Sequence, residues 1–200
     1  MSGKKWWTRC WAHCREPMSG TTHCRPTKRS SRPLNAAAEL GVRPSRAKPM
    51  DTWWIDKPHL LGSSNPTDTD LEKLRGDGFG VLISLLHEQA QSPRYDVARA
   101  CALGFERHNI AVRDFHPPTV AQLEHFVKLV GGSSPRAKTI VHCEGGSGRT
   151  GTFAAAYWVA KELAVPEAIA RVRKARHHAV ETSEQEAILN EFASKYASSV

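Results

Sequence analysis

The chain has 200 residues, 40% apolar and 24% charged, values that suit one globular domain with an added segment. No apolar run approaches the roughly 20 residues needed to cross a bilayer, and Lys4 and Lys5 lead into Trp6, Trp7, Thr8 and Arg9 rather than a secretory apolar core. Neither a membrane span nor a secretory leader is expected, and a soluble, cytoplasmic protein is. The net charge of +8 is uneven: residues 1–50 carry eleven Lys and Arg against Glu16 and Glu39, which leaves residues 51–200 near −1. The folded part therefore offers no broad basic face for nucleic acid. Five cysteines, an odd number with Cys10, Cys14 and Cys24 set apart from Cys101 and Cys143, argue against a disulfide framework.

In chain order, residues 1–49 form a basic segment broken by Pro17, Pro26, Pro33, Pro44 and Pro49, and disorder is expected there. Its Cys10, His13, Cys14, His23 and Cys24 have poor spacing for zinc, and contact with nucleic acid or acidic lipid would come only through its charge. Organised sequence begins at Met50, where translation could also start, and a domain over residues 50–198 is expected. Residues 53–55 and 59–61 read as a first hairpin. Thr67 and the residues after it cap a short helix ending before Gly76 and Gly78. Residues 81–86 (VLISLL) are apolar without alternation, as in a strand buried on both faces. A helix over 93–103, a strand over 110–115, a helix over 119–130 and a strand over 139–142 follow. Three helices close the chain, over 150–163, 166–178 and 183–197, the last with Ser183 and Glu186 as a capping box. Strands alternating with helices predict an α/β domain, its central and mostly parallel sheet flanked by helices.

The chemistry concentrates at Cys143, which follows a strand and precedes a glycine-rich loop opening a helix. Ligands bind at that carboxyl edge of an open α/β sheet. Glu144, Gly145, Gly146, Ser147 and Gly148 would turn their amide N–H groups inward as an anion cradle, completed by the helix dipole. The same field favours the thiolate of Cys143 and makes it a nucleophile. Arg149 returns to the rim after one turn of loop, where its planar fork can hold two phosphoryl oxygens. The departing oxygen needs a proton, and Asp114 is the candidate donor: it lies at the preceding strand's carboxyl end, in a loop stiffened by Pro117 and Pro118. Elsewhere Cys101, beside Ala100 and Ala102, reads as core filler. His177 and His178 read as the basic end of a helix, and Asp77 and Asp96 as solvated.

His142-Cys143-x5-Arg149-Thr150 resembles the signature of the cysteine-dependent protein-tyrosine phosphatases, and the upstream Asp-x-x-Pro loop is similar to that of the small atypical dual-specificity phosphatases. The likeness runs from about Trp53 to Tyr196. It implies a protein-tyrosine-phosphatase-like fold, a phosphocysteine at Cys143, phosphoryl binding by Arg149, and Asp114 as acid and then base. It further implies that Thr150 eases departure of the thiolate, that His142 holds the loop and helps keep the cysteine ionised, and that no metal or other cofactor is needed. Glu181 matches a position where longer tyrosine phosphatases place a water with glutamine; Gln185 is the second candidate for that task. The expected reaction is hydrolysis of phosphotyrosine, with phosphoserine and phosphothreonine, on a phosphoprotein partner by a monomeric enzyme. Glu144 inside the loop disfavours a phosphoinositide polyanion. An RNA 5′-phosphatase and a non-catalytic phosphoprotein-binding module are rival expectations.

Overall fold

The computed structural model describes residues 49–132 and 138–197. The expectations placed on residues 1–48, the cysteine and histidine cluster included, lie outside the described residues. Strand β1 (Thr52–Asp56) pairs antiparallel with β2 (Leu60–Ser63), as the predicted hairpin requires. Strands β3 (Phe79–Leu86), β4 (Glu106–Val112) and β5 (Lys138–His142) run parallel to β2, in the order β1-β2-β5-β3-β4. β5 thus occupies the centre, and its carboxyl end opens between the ends of β2 and β3.

Both faces of the sheet are covered. Val81, Ile83 and Leu85 of β3 join a large core with α3 (Val120–Gly132), α4 (Gly148–Val159), α5 (Val165–Ala175) and α6 (Ser183–Ala197). Leu82 turns to a smaller core with α1 (Asp68–Gly76) and α2 (Val97–Ala102), and on β5 Val141 and Ile140 divide the same way. Burying each such side chain contributes about 1.5–3 kcal/mol, so the apolar run of β3, interrupted only by the buried Ser84, helps anchor the sheet beside β5. Every residue of α4 is buried, as expected of a helix enclosed on all sides. The element that begins at the glycine-rich loop is therefore held from all around.

Several local expectations need correction. β4 ends at Val112, so Asp114 stands on the following loop rather than in a strand. α2 begins at Val97 because Asp96 accepts from the Arg99 amide at 2.8 Å; Pro93 lies ahead of it in a long turn. Asp96 is thus a cap as well as solvated. α5 stops at Ala175, where Arg176 leaves helical geometry, so His177 and His178 lie beyond the helix. The cap of α6 is Thr182, whose hydroxyl accepts from the Gln185 amide at 3.2 Å, not Ser183 with Glu186. Cys101 is exposed rather than core filler, because short α2 turns only Ala100 fully inward.

Candidate active site

The loop after β5 is tied from outside by its carbonyl oxygens. The carbonyl of Glu144 accepts from the Asn65 amide at 3.1 Å, that of Gly145 from Arg176 Nη2 at 3.2 Å, and that of Gly146 from Trp53 Nε1 at 2.9 Å. In a trans peptide the following N–H points opposite to the carbonyl, so three successive outward carbonyls turn the amides of Gly145, Gly146 and Ser147 inward. The Gly146 amide donates to Cys143 Sγ at 3.2 Å. The cradle expected from the glycines is therefore present, with the sulfur on its floor. One glycine is required by the geometry. Gly146 has φ +73°, and a Cβ there would meet the backbone of Ser63 and Ser64 at 2.7 Å, whereas a Cβ at Gly148 would first meet the end of the exposed Glu181 side chain, which can move aside.

Arg149, on the first turn of α4, is only 2% exposed. Its Nη1 donates to Gln91 Oε1 at 2.8 Å and to the Val112 carbonyl at 3.0 Å. Nε and Nη2 are buried without a hydrogen bond of good geometry, although Asp114 Oδ1 stands 2.7 Å from Nη2 as an ion pair. The Nε–Nη2 edge of the guanidinium thus faces only the Asp114 carboxylate. Asp114 Oδ2 accepts from Gln91 Nε2 at 2.8 Å, and His116 Nδ1 donates to the Asp114 carbonyl at 2.8 Å. Phe115 follows in a left-handed conformation, φ 58°, and is 69% exposed. Asp114 has no capping duty: Thr119 caps α3, its hydroxyl accepting from the Gln122 amide at 3.2 Å. A pocket of about 410 Å³ lined by His87, Ala90, Gln91, Arg113 and Asp114 adjoins this loop.

Behind the cysteine, His142 is fully buried. Burial, aided by the nearby charges of Arg107 and Arg149, pushes its pKa down to about 3, although the Cys143 backbone pulls the other way. Its Nε2 lies 3.1 Å from the Tyr95 hydroxyl, which accepts from Arg107 Nε at 3.0 Å. That donation leaves the phenol proton free for His142, assigning the neutral ring its Nδ1–H tautomer. Burial raises the Tyr95 pKa and keeps the phenol protonated. His142 is therefore a neutral ring hydrogen-bonded to Tyr95, and not a cation. The Thr150 hydroxyl is buried without a partner.

Residues 49–189 match the family model described as Swiss Army Knife protein, DSP-PTPase phosphatase domain. The chain belongs to that family. It is accordingly a phosphatase of the tyrosine and dual-specificity superfamily, a hydrolase, and the atypical dual-specificity resemblance holds. Among solved structures, Tk-PTP in its active form is 27% identical, with a TM-score of 0.67, over 72% of this chain and 97% of that one. PTPMT1 in complex with PI(5)P is 22% identical (TM-score 0.68; 74% and 97%), and kinase associated phosphatase 22% identical (0.65; 76% and 98%). The last two share the fold, a mostly parallel sheet flanked by helices. No described helix is long and apolar enough to cross a membrane.

The remaining predicted residues of this phosphatase domain fall around the same loop. Glu144 is not a free negative charge: Arg94 Nη2 is 2.6 Å from Oε1 and Asn65 Nδ2 donates to Oε2 at 2.9 Å. Paired in this way, Glu144 repels a polyanion less than a free carboxylate would. Ser147 accepts from Arg176 Nε at 2.9 Å, and the same Arg176 pairs with Asp51. Glu181 is exposed with its carboxylate against Gly148, whereas Gln185 is fully buried, its Oε1 accepting from the Glu181 amide at 2.8 Å. Gln185 Nε2 has no partner and stands beside Gly148. Val180, just before Glu181, has φ 58°, a costly angle for a β-branched residue, and Arg173 holds that turn by donating to the carbonyls of Ala179 and Val180. Trp53, Asn65, Gln91, Arg94, Tyr95, Arg107 and Arg176 all serve the site without any local motif to mark them.

Proposed function

We propose that this domain hydrolyses phosphate monoesters on proteins, phosphotyrosine and also phosphoserine and phosphothreonine, through a phosphocysteine. In the first step Cys143 Sγ attacks phosphorus, and the ester P–O bond breaks as Asp114 gives its proton to the departing oxygen. Arg149 Nε and Nη2 hold two phosphoryl oxygens, and the inward amides of residues 145–147 receive the rest of the charge. The phosphate takes the place of Asp114 at Nη2, which frees the carboxyl group for its acid role. In the second step water attacks phosphorus, Asp114 takes its proton, and the S–P bond breaks with Thr150 donating toward the leaving sulfur. Gln185, with its unpartnered amide beside Gly148, is better suited than Glu181 to place that water.

The observation that carries this reading is the pairing of an amide-ringed sulfur, 3.2 Å from the Gly146 nitrogen, with a buried guanidinium whose Nε has no partner and whose Nη2 meets only the Asp114 carboxylate. A phosphoinositide is the second reading. It is supported by the pairing of Glu144 with Arg94, which offsets the carboxylate's repulsion of a polyanion, and by a similarly folded protein, PTPMT1, solved in complex with PI(5)P.

The test is turnover of phosphotyrosine, phosphothreonine and phosphoserine peptides, phosphoinositides and 5′-triphosphorylated RNA, by the wild type, Cys143→Ser and Asp114→Ala. Peptides should be preferred. Cys143→Ser should bind phosphate without turnover, and Asp114→Ala should lose more on alkyl than on phenyl esters, because poor leaving groups need the proton more. Preference for the lipids would select the second reading, and full activity of Cys143→Ser would remove the phosphocysteine.

A further inference from the structure

Gln91 lies on the loop after β3, its amide donating to the His87 carbonyl at 2.9 Å. Its side chain closes a three-membered ring with Arg149 and Asp114. Oε1 accepts from Arg149 Nη1, and Nε2 donates to Asp114 Oδ2, each at 2.8 Å. Asp114 Oδ1 completes the ring at Arg149 Nη2, 2.7 Å away. The contact to Gln91 therefore uses the edge of the guanidinium that phosphate does not need. It also marks one of the two carboxyl oxygens and leaves the other facing the phosphate site.

We propose that Gln91 is a positioning residue that tethers the general acid to the phosphate-binding arginine. The inference rests on the acid role proposed above for Asp114. When phosphate displaces Oδ1 from Nη2, the carboxyl group stays held through Oδ2; without the tether a side chain 42% exposed would turn into solvent. The tether also selects the protonated oxygen. An N–H donating to Oδ2 favours that atom as the carbonyl oxygen and thus favours the proton on Oδ1, toward the departing oxygen. Glutamine alone meets both demands, because Oε1 must accept from the arginine while Nε2 donates to the acid. Methionine, of similar shape, offers neither contact. Glutamate keeps the acceptor but brings no donor to a second carboxylate.

The experiment compares kcat for para-nitrophenyl phosphate and phenyl phosphate in the full chain, for the wild type, Gln91→Met, Gln91→Glu, Asp114→Ala and the double variant Gln91→Met/Asp114→Ala. Inhibition by inorganic phosphate follows each. Gln91→Met should raise the ratio of the two kcat values about tenfold, as expected for one lost hydrogen bond to a charged group, with phosphate inhibition close to wild type. Gln91→Glu should not restore the ratio. In the Asp114→Ala background Gln91→Met should leave the ratio where it stands, since both changes act through one group. Equal losses on both substrates with weaker phosphate inhibition, or a further rise in the double variant, would overturn the tether. If Asp114→Ala raises the ratio and Gln91→Met does not, the tether alone fails. If Asp114→Ala leaves the ratio unchanged, the acid assignment fails and the tether with it.

Discussion

Lowering the pH should destabilise this domain through a single buried ring. His142 is wholly enclosed, its Nε2 is occupied as acceptor of the Tyr95 hydroxyl, and Arg107 and Arg149 place positive charge nearby. Its pKa of about 3 in the folded state compares with an ordinary 6.5. Between those values the unfolded chain binds one proton more than the folded one. The contribution is therefore complete above the unfolded value and is lost progressively as the pH falls toward the folded one. One proton corresponds to a slope of about 1.4 kcal/mol per pH unit, or ~3 kcal/mol between about pH 6 and pH 4. Urea unfolding of the wild type and of His142→Gln across that range isolates the ring, because Asp56 and other acid-sensitive groups are common to both. The difference in stability between the two proteins should shrink as the pH falls. A constant difference, or a His142 ring that titrates near neutral pH by NMR, would refute the buried neutral assignment and the tautomer drawn from Tyr95.

Two further substitutions probe the cradle. Gly146→Ala forces an L-residue to φ +73° and sets its Cβ 2.7 Å from the Ser63 and Ser64 backbone; it should lower stability by about 2–4 kcal/mol and abolish phosphate binding, read by thermal melting and calorimetry. Intact phosphate binding in that variant would mean the cradle does not need this turn. Arg176→Ala removes the donors to Ser147 Oγ and the Gly145 carbonyl and should weaken phosphate inhibition about tenfold, leaving the leaving-group dependence as in wild type. A shift in that dependence with unchanged inhibition would contradict a role confined to the loop.

The fold was legible where a local pattern decides it. The apolar run of β3 implied burial on both faces, and the two cores that divide its side chains bear this out. The alternation of strands and helices likewise placed Cys143 at the carboxyl edge of the sheet, whereas the central position of β5 came only from the strand pairing. Boundaries failed where one tertiary contact overruled a propensity. α5 ends at Arg176, a residue drawn to Ser147, Gly145 and Asp51, and nothing near it in sequence marks that end. Cys101 was misjudged from its small neighbours, because the depth to which a short helix sinks depends on what packs above it. Cys143 and Arg149 share one loop and could be read together. Their supports could not: Trp53 reaches Gly146 across 93 residues and Gln91 reaches Arg149 across 58. A hydrogen-bonding side chain carries no sign of its partner until the topology brings the two together.

The supports also separate chemistry from selectivity. Asn65, Arg176 and Trp53 fix the carbonyls of residues 144–146, so the inward amides cannot turn to suit different phosphate groups without giving up an outside partner. On the proposed function, a cradle held in this way would accept one phosphoryl group in one orientation, whatever molecule bears it. Discrimination must then come from side chains that stand around it and are free to differ. These are the Arg94–Glu144 pair, whose charges offset each other, the exposed Phe115 beside the acid, and Glu181 on its strained turn. An aromatic ring beside the acid suits a flat aryl phosphate, whereas a polyanionic headgroup would have to part Arg94 from Glu144 to use its charge. The cost of breaking that half-exposed pair is modest, about 1 kcal/mol or less. On the proposed function, such a rim would favour phosphoprotein side chains without closing the site to a lipid headgroup, and substrate choice would rest on weak contacts around a rigid centre.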